Sequence, residues 1–161
     1  MALNAYLKID GIEGESRDAK HQGQIEIESF SWGESNFASA ASGGGGGGAG
    51  KVSMNDFHFV MKVSKASPQL FLACASGEHI PRAVLSISKA GAEQIDYLYW
   101  KFTDILISSY QTGGSSGDIV PTDSFSLNFA KIEVSYKEQS PDGSLGTEHR
   151  AGWDLATNKK F

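Results

Sequence analysis

Ser42-Gly43-Gly44-Gly45-Gly46-Gly47-Gly48-Ala49-Gly50-Lys51 is the stretch whose reading decides the fold. It spells Gly45-x-x-x-x-Gly50-Lys51, the skeleton of a phosphate-binding loop, which would make the chain an α/β nucleotide protein. That chemistry needs a buried strand before the glycines, a hydroxyl after the lysine for Mg²⁺, and a helix N-terminus facing phosphate. Position 52 is Val52, which has no hydroxyl. Upstream, Glu34-Ser35-Asn36-Phe37-Ala38-Ser39-Ala40-Ala41 is too polar and small for a buried parallel strand. Downstream, Phe57, Phe59, Met61 and Val63 recur at period two, the spacing of one strand face. The phosphate reading fails on both flanks. Glycine loses more freedom on ordering than any other residue, so six in succession make either a flexible leash or an arm whose backbone lies close against a neighbour.

Working outward, Leu3, Ala5, Leu7 and Ile9 alternate with polar residues up to Gly11, a half-buried strand. From Gln24 to Gly33 a second strand begins with Ile25 and Ile27 and then changes face to Phe30 and Trp32, which predicts a bulge or a bend at a barrel corner. Ser67 as cap, Pro68 at the first helical position and Gly77 just past the end predict one helix over 68–76, only ~13 Å long. Strands resume with Ala83, Leu85 and Ile87 and turn at Lys89-Ala90-Gly91. Gln94 to Ser109 is a long run with apolar residues on both faces, followed by a glycine-rich loop from Thr112 to Asp118. From Ser124 to Tyr136, Phe125, Leu127 and Phe129 give way to Ile132, Val134 and Tyr136, a second change of face. Pro141-Asp142-Gly143 reads as a turn and Gly152 to Leu155 as a short closing strand. The fold class is therefore mainly β: a small β-barrel or two-sheet sandwich with one short flanking α-helix and a long Gly-rich loop, expected as one domain over 1–161. Where a strand is apolar on both faces, the second face must meet the helix, another sheet or another subunit, and another subunit is the expectation for part of it.

The 161 residues are 40% hydrophobic, enough for a real core, and the net charge of −5 argues against a nucleic-acid partner. A single cysteine, Cys74, rules out an intramolecular disulfide and reads as a small buried hydrophobe. No stretch approaches ~18 apolar residues, so no membrane insertion is expected. The amino terminus has no basic leader before an apolar run, which predicts synthesis in the cytoplasm and export, if any, by a route that reads the folded protein. His21, His58, His79 and His149 are scattered without ligand spacing, so neither a metal nor another cofactor is expected. Glu15, Asp18 and His21 cluster after the first strand without a nucleophile motif, and read as a solvated loop making local backbone hydrogen bonds. Phe30, Trp32, Trp100 and Trp153 could line a sugar platform, although core packing is the commoner fate of such residues.

Several segments together give the chain a family likeness: Gly14-Glu15-Ser16-Arg17-Asp18, Ser31-Trp32-Gly33, the glycine run into Gly50-Lys51, Ser67-Pro68-Gln69-Leu70 and Cys74-Ala75-Ser76-Gly77-Glu78-His79. Lys89-Ala90-Gly91, Ser108-Ser109, Thr112-Gly113-Gly114-Ser115, Leu127-Asn128-Phe129-Ala130 and Gly152-Trp153-Asp154 continue the series nearly end to end. In that order they resemble the haemolysin-coregulated protein (Hcp) family, the tube subunit of bacterial type VI secretion. The resemblance implies a phage tail-tube-like subunit that forms hexameric rings, which stack into a tube driven out by a sheath behind a spike protein and assembled on a baseplate. It implies secretion to the medium or a target cell, effector proteins carried in the lumen, and no catalytic residue. Some relatives carry a C-terminal toxin domain, for which a chain ending at Phe161 leaves no room, so no enzyme is expected. The arm residues Gly43, Gly44, Gly45, Gly46, Gly47, Gly48, Gly50 and Lys51 become candidates for contacts between subunits or rings. Ser31, alternating with Phe30 and Trp32, becomes the candidate for the channel wall and effector contact. Six copies at −5 carry a formal −30, so isolated rings are expected to stack weakly without a template. The competing reading is a secreted β-sandwich module binding carbohydrate or protein, which predicts a monomer with an exposed aromatic patch.

Overall fold

The computed structural model describes residues 3–36, 51–89 and 95–161. In chain order the elements are β1 (Leu3–Ile9), β2 (Ile25–Ile27), β3 (Ser29–Ser31), β4 (Glu34–Asn36), β5 (Val52–Met54), β6 (Phe57–Lys62), α1 (Ala66–Ser76), β7 (Ile80–Lys89), β8 (Asp96–Gly113), β9 (Thr122–Gln139), β10 (Leu145–Asp154) and β11 (Lys159–Lys160). The strands are antiparallel and follow the order β11-β10-β9-β8-β7-β1-β2, with β3 on β6 and β6 on β9.

β9 organises the layers. Its first half, Thr122 to Leu127, pairs with β6, and its second half, Lys131 to Gln139, pairs with β10. β8 runs along its other side for nearly the whole length. The two long strands change face together at the point where one layer gives way to the other. Phe102 and Ile132 point into the core before the corner, Ile105 and Phe129 after it. Asp104 absorbs the reversal with φ 52°, a left-handed conformation that Asp tolerates better than most residues. The predicted change of face after Phe129 is thus present, and β8 makes the same change at Asp104. Much of the second apolar face foreseen for Gln94 to Ser109 is consequently core of this same chain, because Ile105 and Ile107 turn inward.

The change of face between Ile27 and Phe30 is also present. Ile25 and Ile27 are buried in β2, Glu28 donates its N–H to the Val60 carbonyl (2.8 Å), and Ser29 and Ser31 point outward in β3. β3 pairs with β6 while β2 pairs with β1 alone, so the strands do not close a barrel. A two-layer sandwich with a seam between β2 and the end of β6 is the better description.

The helix begins earlier than its sequence signals indicate, at Ala66, because Ser67 is not its cap. Ser67 lies in the first turn, where its Oγ accepts the Ser64 N–H (3.1 Å) and donates to Asp123 Oδ2 (2.6 Å). Two side chains hold the start of the helix: Ser64 Oγ accepts the Ala66 N–H (3.2 Å), and the distant Glu15 Oε1 accepts the Lys65 N–H (3.0 Å). Gly77 ends the helix as expected, in the left-handed region at φ 66°. Asp123 is fully buried, with Tyr110 OH donating to the same oxygen (2.8 Å), so two hydroxyls tie α1 and β8 to a carboxylate that meets no cation among the described residues. Ser67→Ala removes one of these donors, and thermal or urea unfolding is expected to show a loss of about 1.5–3 kcal/mol, the range for hydrogen bonds to charged groups.

β10 is longer than the short closing strand over 152–155. Residues 145–150 are all exposed, and after Leu145 and Gly146 they are polar, so they carry no alternation to read. Backbone pairing to β9 holds them, aided by Ser135 Oγ donating to Glu148 (2.6 Å) and by Arg150 against Glu133 (2.9 Å). β4 and β5 also escaped the sequence. The polar residues before the glycines do form a strand, but an exposed antiparallel one, with Asn36 opposite Val52 and Glu34 opposite Met54.

Candidate assembly surfaces

One outer face of the molecule is set by β3, β6, β8 and β9. Phe30 and Trp32 pack inward against the ring of Phe57, at 5.9 and 6.2 Å between centroids. The intervening Ser29 and Ser31 are therefore outward. Register extends Ser31 into a row: it lies opposite His58, His58 opposite Ser126, and Ser126 opposite Ser109. Ser126 is buried, with the Ser108 and Ser109 hydroxyls at 2.7 and 2.6 Å, where β8 carries a bulge. This face is small-residue, hydroxyl-rich and rigidly backed.

The second surface is the base of the glycine-rich segment, formed by β4 and β5. Gly43 to Gly48 and Gly50 lie outside the described residues; Lys51 lies within them, exposed just before β5. The root of the arm is fixed. Trp32 Nε1 donates to the Asn55 carbonyl (2.8 Å) and the Asn55 N–H to the Gly33 carbonyl (3.0 Å). Beneath the β4–β5 hairpin a hollow of about 680 Å³ is lined by Trp32, Trp100 and Trp153 with Val52, Met54 and Val134. The aromatic residues considered as a sugar platform are thus partly core and partly the floor under this hairpin. Trp100 packs on Phe57 (5.5 Å), and Trp32 is tilted against Trp100 (5.5 Å).

The segment 11–24 is not the solvated loop that its charges suggested. Asp18 does cap its own turn, accepting the N–H groups of Lys20 and His21 (3.0 and 3.2 Å). His21, however, is buried, stacked on Tyr6 at 4.5 Å between centroids. Its ring nitrogens meet Gln24 Oε1 and Asp96, each at 3.0 Å. Asp96 also accepts the Tyr99 hydroxyl (3.2 Å). Burial, and then the neighbouring Asp96 charge and hydrogen bond, push the Tyr99 hydroxyl up to about 12. These residues form an anchor between β1, β8 and the loop. Both His21 ring nitrogens are taken up by these contacts, and no group of three His, Cys, Asp or Glu among the described residues could hold a metal ion. Further around the molecule, α1 turns Phe71 and Leu72 outward, 61% and 63% exposed, while Cys74 is half-buried against the core. No described helix is long and apolar enough to cross a membrane.

Comparison with known proteins gives the family. Residues 6–136 match the family model described as type VI secretion system effector, Hcp. The chain is 42% identical over 160 residues to protein hcp1 of Pseudomonas aeruginosa, covering 98% of each. The chain belongs to the Hcp family of type VI secretion. Among solved structures, a type six secretion system protein superposes with a TM-score of 0.93 at 31% identity, covering 99% of this chain and 100% of that one. Hcp1 of Salmonella typhimurium does so at 0.80 and 34% identity, over the full length of both. As an Hcp protein the chain is a structural tube subunit of the secretion system. Of the residues singled out from it, Ser31 stands on an outward face and Lys51 at the root of the arm. His58 and Ser126, which share the Ser31 row, were missed because cross-strand register cannot be read along one strand.

Proposed function

We propose that six copies of this Hcp chain form a ring, that rings stack into the expelled tube, and that the Ser31 face lines its channel and touches effector proteins carried there. The observation that supports this most is the full-length match to Hcp proteins, which covers every element of the sandwich. The outward Ser31 row fits a channel wall, since small hydroxyls leave a bore open and offer hydrogen bonds without charge. The glycine arm, with Gly43 to Gly48, Gly50 and Lys51, makes contacts between subunits or rings. The spike, the sheath and the baseplate are the other partners, and the chain acts as one structural domain without catalysis, reaching the medium or a target cell through the secretion machine. Light scattering with negative-stain imaging tests the assembly. A species of about 103 kDa, six times the 17.2 kDa chain, with an open centre is expected. A 17 kDa monomer that persists across concentration and salt overturns the reading and favours a monomeric binding module.

A further inference from the structure

His21 and Asp96 hold the segment 11–24 to β8, and the hydrogen-bond partners of the ring are both acceptors. Nε2 lies 3.0 Å from each carboxylate oxygen of Asp96, and Nδ1 lies 3.0 Å from Gln24 Oε1. A neutral imidazole carries one N–H and one lone pair, so it would set that lone pair against an oxygen. The doubly protonated ring donates at both ends. Burial makes a mismatch costly: the His21 side chain is 6% exposed, that of Asp96 12%, and Tyr6 is stacked on the ring at 4.5 Å. Asp96 needs the cation in turn, since no Lys or Arg among the described residues forms an ion pair with it. Its other donor is the Tyr99 hydroxyl (3.2 Å), which burial and then the Asp96 charge push up to about 12, so it stays protonated in neutral and mildly alkaline solution. The remaining ionisable groups at the ring are Tyr6 on β1 and, within the segment, the exposed Lys20 and Asp18, whose Oδ1 accepts the His21 N–H (3.2 Å).

We infer that His21 is a pH-sensitive latch: protonated on both nitrogens it pins the segment 11–24 to β8, and on losing one proton it lets that segment go. The other end of the segment is tied to the helix. Glu15 accepts the Lys65 N–H (3.0 Å), and the Glu13 N–H donates to Gln69 Oε1 (3.2 Å). Release at His21 therefore loosens the start of α1 as well, a coupling between β8 and the helix that runs through one short stretch of chain. The sign follows from proton counting. The latched form binds one proton more than a released ring that has lost its own, so the latch weakens as pH rises from about 6.5, where an unconstrained imidazole gives up its proton.

Hydrogen exchange read by mass spectrometry tests this on the wild-type protein at pH 6 and pH 9, in peptides covering 11–24 and 63–72 and after correction for the intrinsic pH dependence of exchange. Protection of both peptides is expected to fall by about tenfold or more at the higher pH, the scale of one charge-assisted hydrogen bond. Asp96→Asn, which keeps the shape and removes the charge, and His21→Gln, which cannot carry a proton, are each expected to show no such pH response. Equal protection of the wild-type protein at the two pH values overturns the latch, because it means that Gln24 turns its amide toward a neutral ring. That comparison needs no variant to fold. A wild-type pH response that survives in Asp96→Asn also overturns it. Native mass is measured on the same samples, so a response caused by dissociation of an assembly appears in Asp96→Asn too and counts against His21.

Discussion

Phe57→Ala is expected to destabilise the protein by about 3–5 kcal/mol, the cost of removing a fully buried aromatic ring from a packed core. At roughly 2–4 °C per kcal/mol for a chain of this size, thermal unfolding at fixed protein concentration falls by on the order of 10 °C. Phe57 is 0% exposed, and its ring lies 4.9 Å from Phe102, 5.1 Å from Phe59 and 5.5 Å from Trp100 between centroids. Phe30 and Trp32 complete the surround, so the cavity opens directly beneath the root of the arm. A large fall in the unfolding temperature should therefore come with poorer ring formation in the same variant. A change of less than about 1 kcal/mol, below the range for Phe→Ala in a core, would mean that the aromatic cluster is not packed as described.

Gly14→Val is expected to have the second large effect, through backbone rather than cavity. A Cβ at Gly14 would stand 2.4 Å from the Gln24 carbonyl oxygen and 2.6 Å from the Ile25 Cα, and backbone there has no side-chain rotamer by which to yield. The loop is closed on itself at this point: the Gly14 N–H donates to the Gly23 carbonyl (2.8 Å) and the Ser16 N–H to the Gln24 carbonyl (3.0 Å). Opening it would disturb both the Glu15 cap on α1 and the His21 anchor on Asp96. Overpacking costs about 1–3 kcal/mol and more where the obstacle cannot move, so a loss at or above the top of that range is expected by denaturant unfolding. Gly113→Ala is the control, since a Cβ there meets nothing within 4 Å, and its unfolding midpoint should scarcely move. Equal behaviour of the two variants would remove the close approach at Gly14 as an explanation for the glycine.

Gly14 illustrates what the sequence could and could not convey. Its motif was visible as family likeness, but the reason for a glycine there is a carbonyl ten residues away that appears only when the loop closes. Local signals fared well wherever the determining partner was also local. Gly77 marked a helix end because the left-handed cap is set within one turn, and the change of parity after Ile27 and after Phe129 announced two bends along single strands. Signals failed where the partner was distant. Ser67 looked like a cap, yet its hydroxyl donates to Asp123, fifty-six positions later, and the Lys65 N–H at the helix start is met by Glu15, fifty positions earlier. Residues 145–150 of β10 are held by a backbone ladder, which leaves no hydrophobic pattern behind. For the candidate surfaces the same division applies. The outward direction of Ser31 was ambiguous along its strand and follows only from the inward packing of Phe30 and Trp32, while its neighbours His58 and Ser126 exist as a group only through register.

The β8–β9 hairpin has a mechanical meaning. In an ordinary sandwich two sheets meet only through side chains, and a thrust along one sheet can make it slide over the other. Here the same two strands pass through both layers, turning the corner at Asp104, so any slippage must first tear a ladder that runs from Leu98 and Tyr136 to Gly113 and Thr122. Hydrogen bonds sheared side by side yield together rather than one after another. A subunit built this way is braced as a truss is braced, by a continuous diagonal member that both layers share.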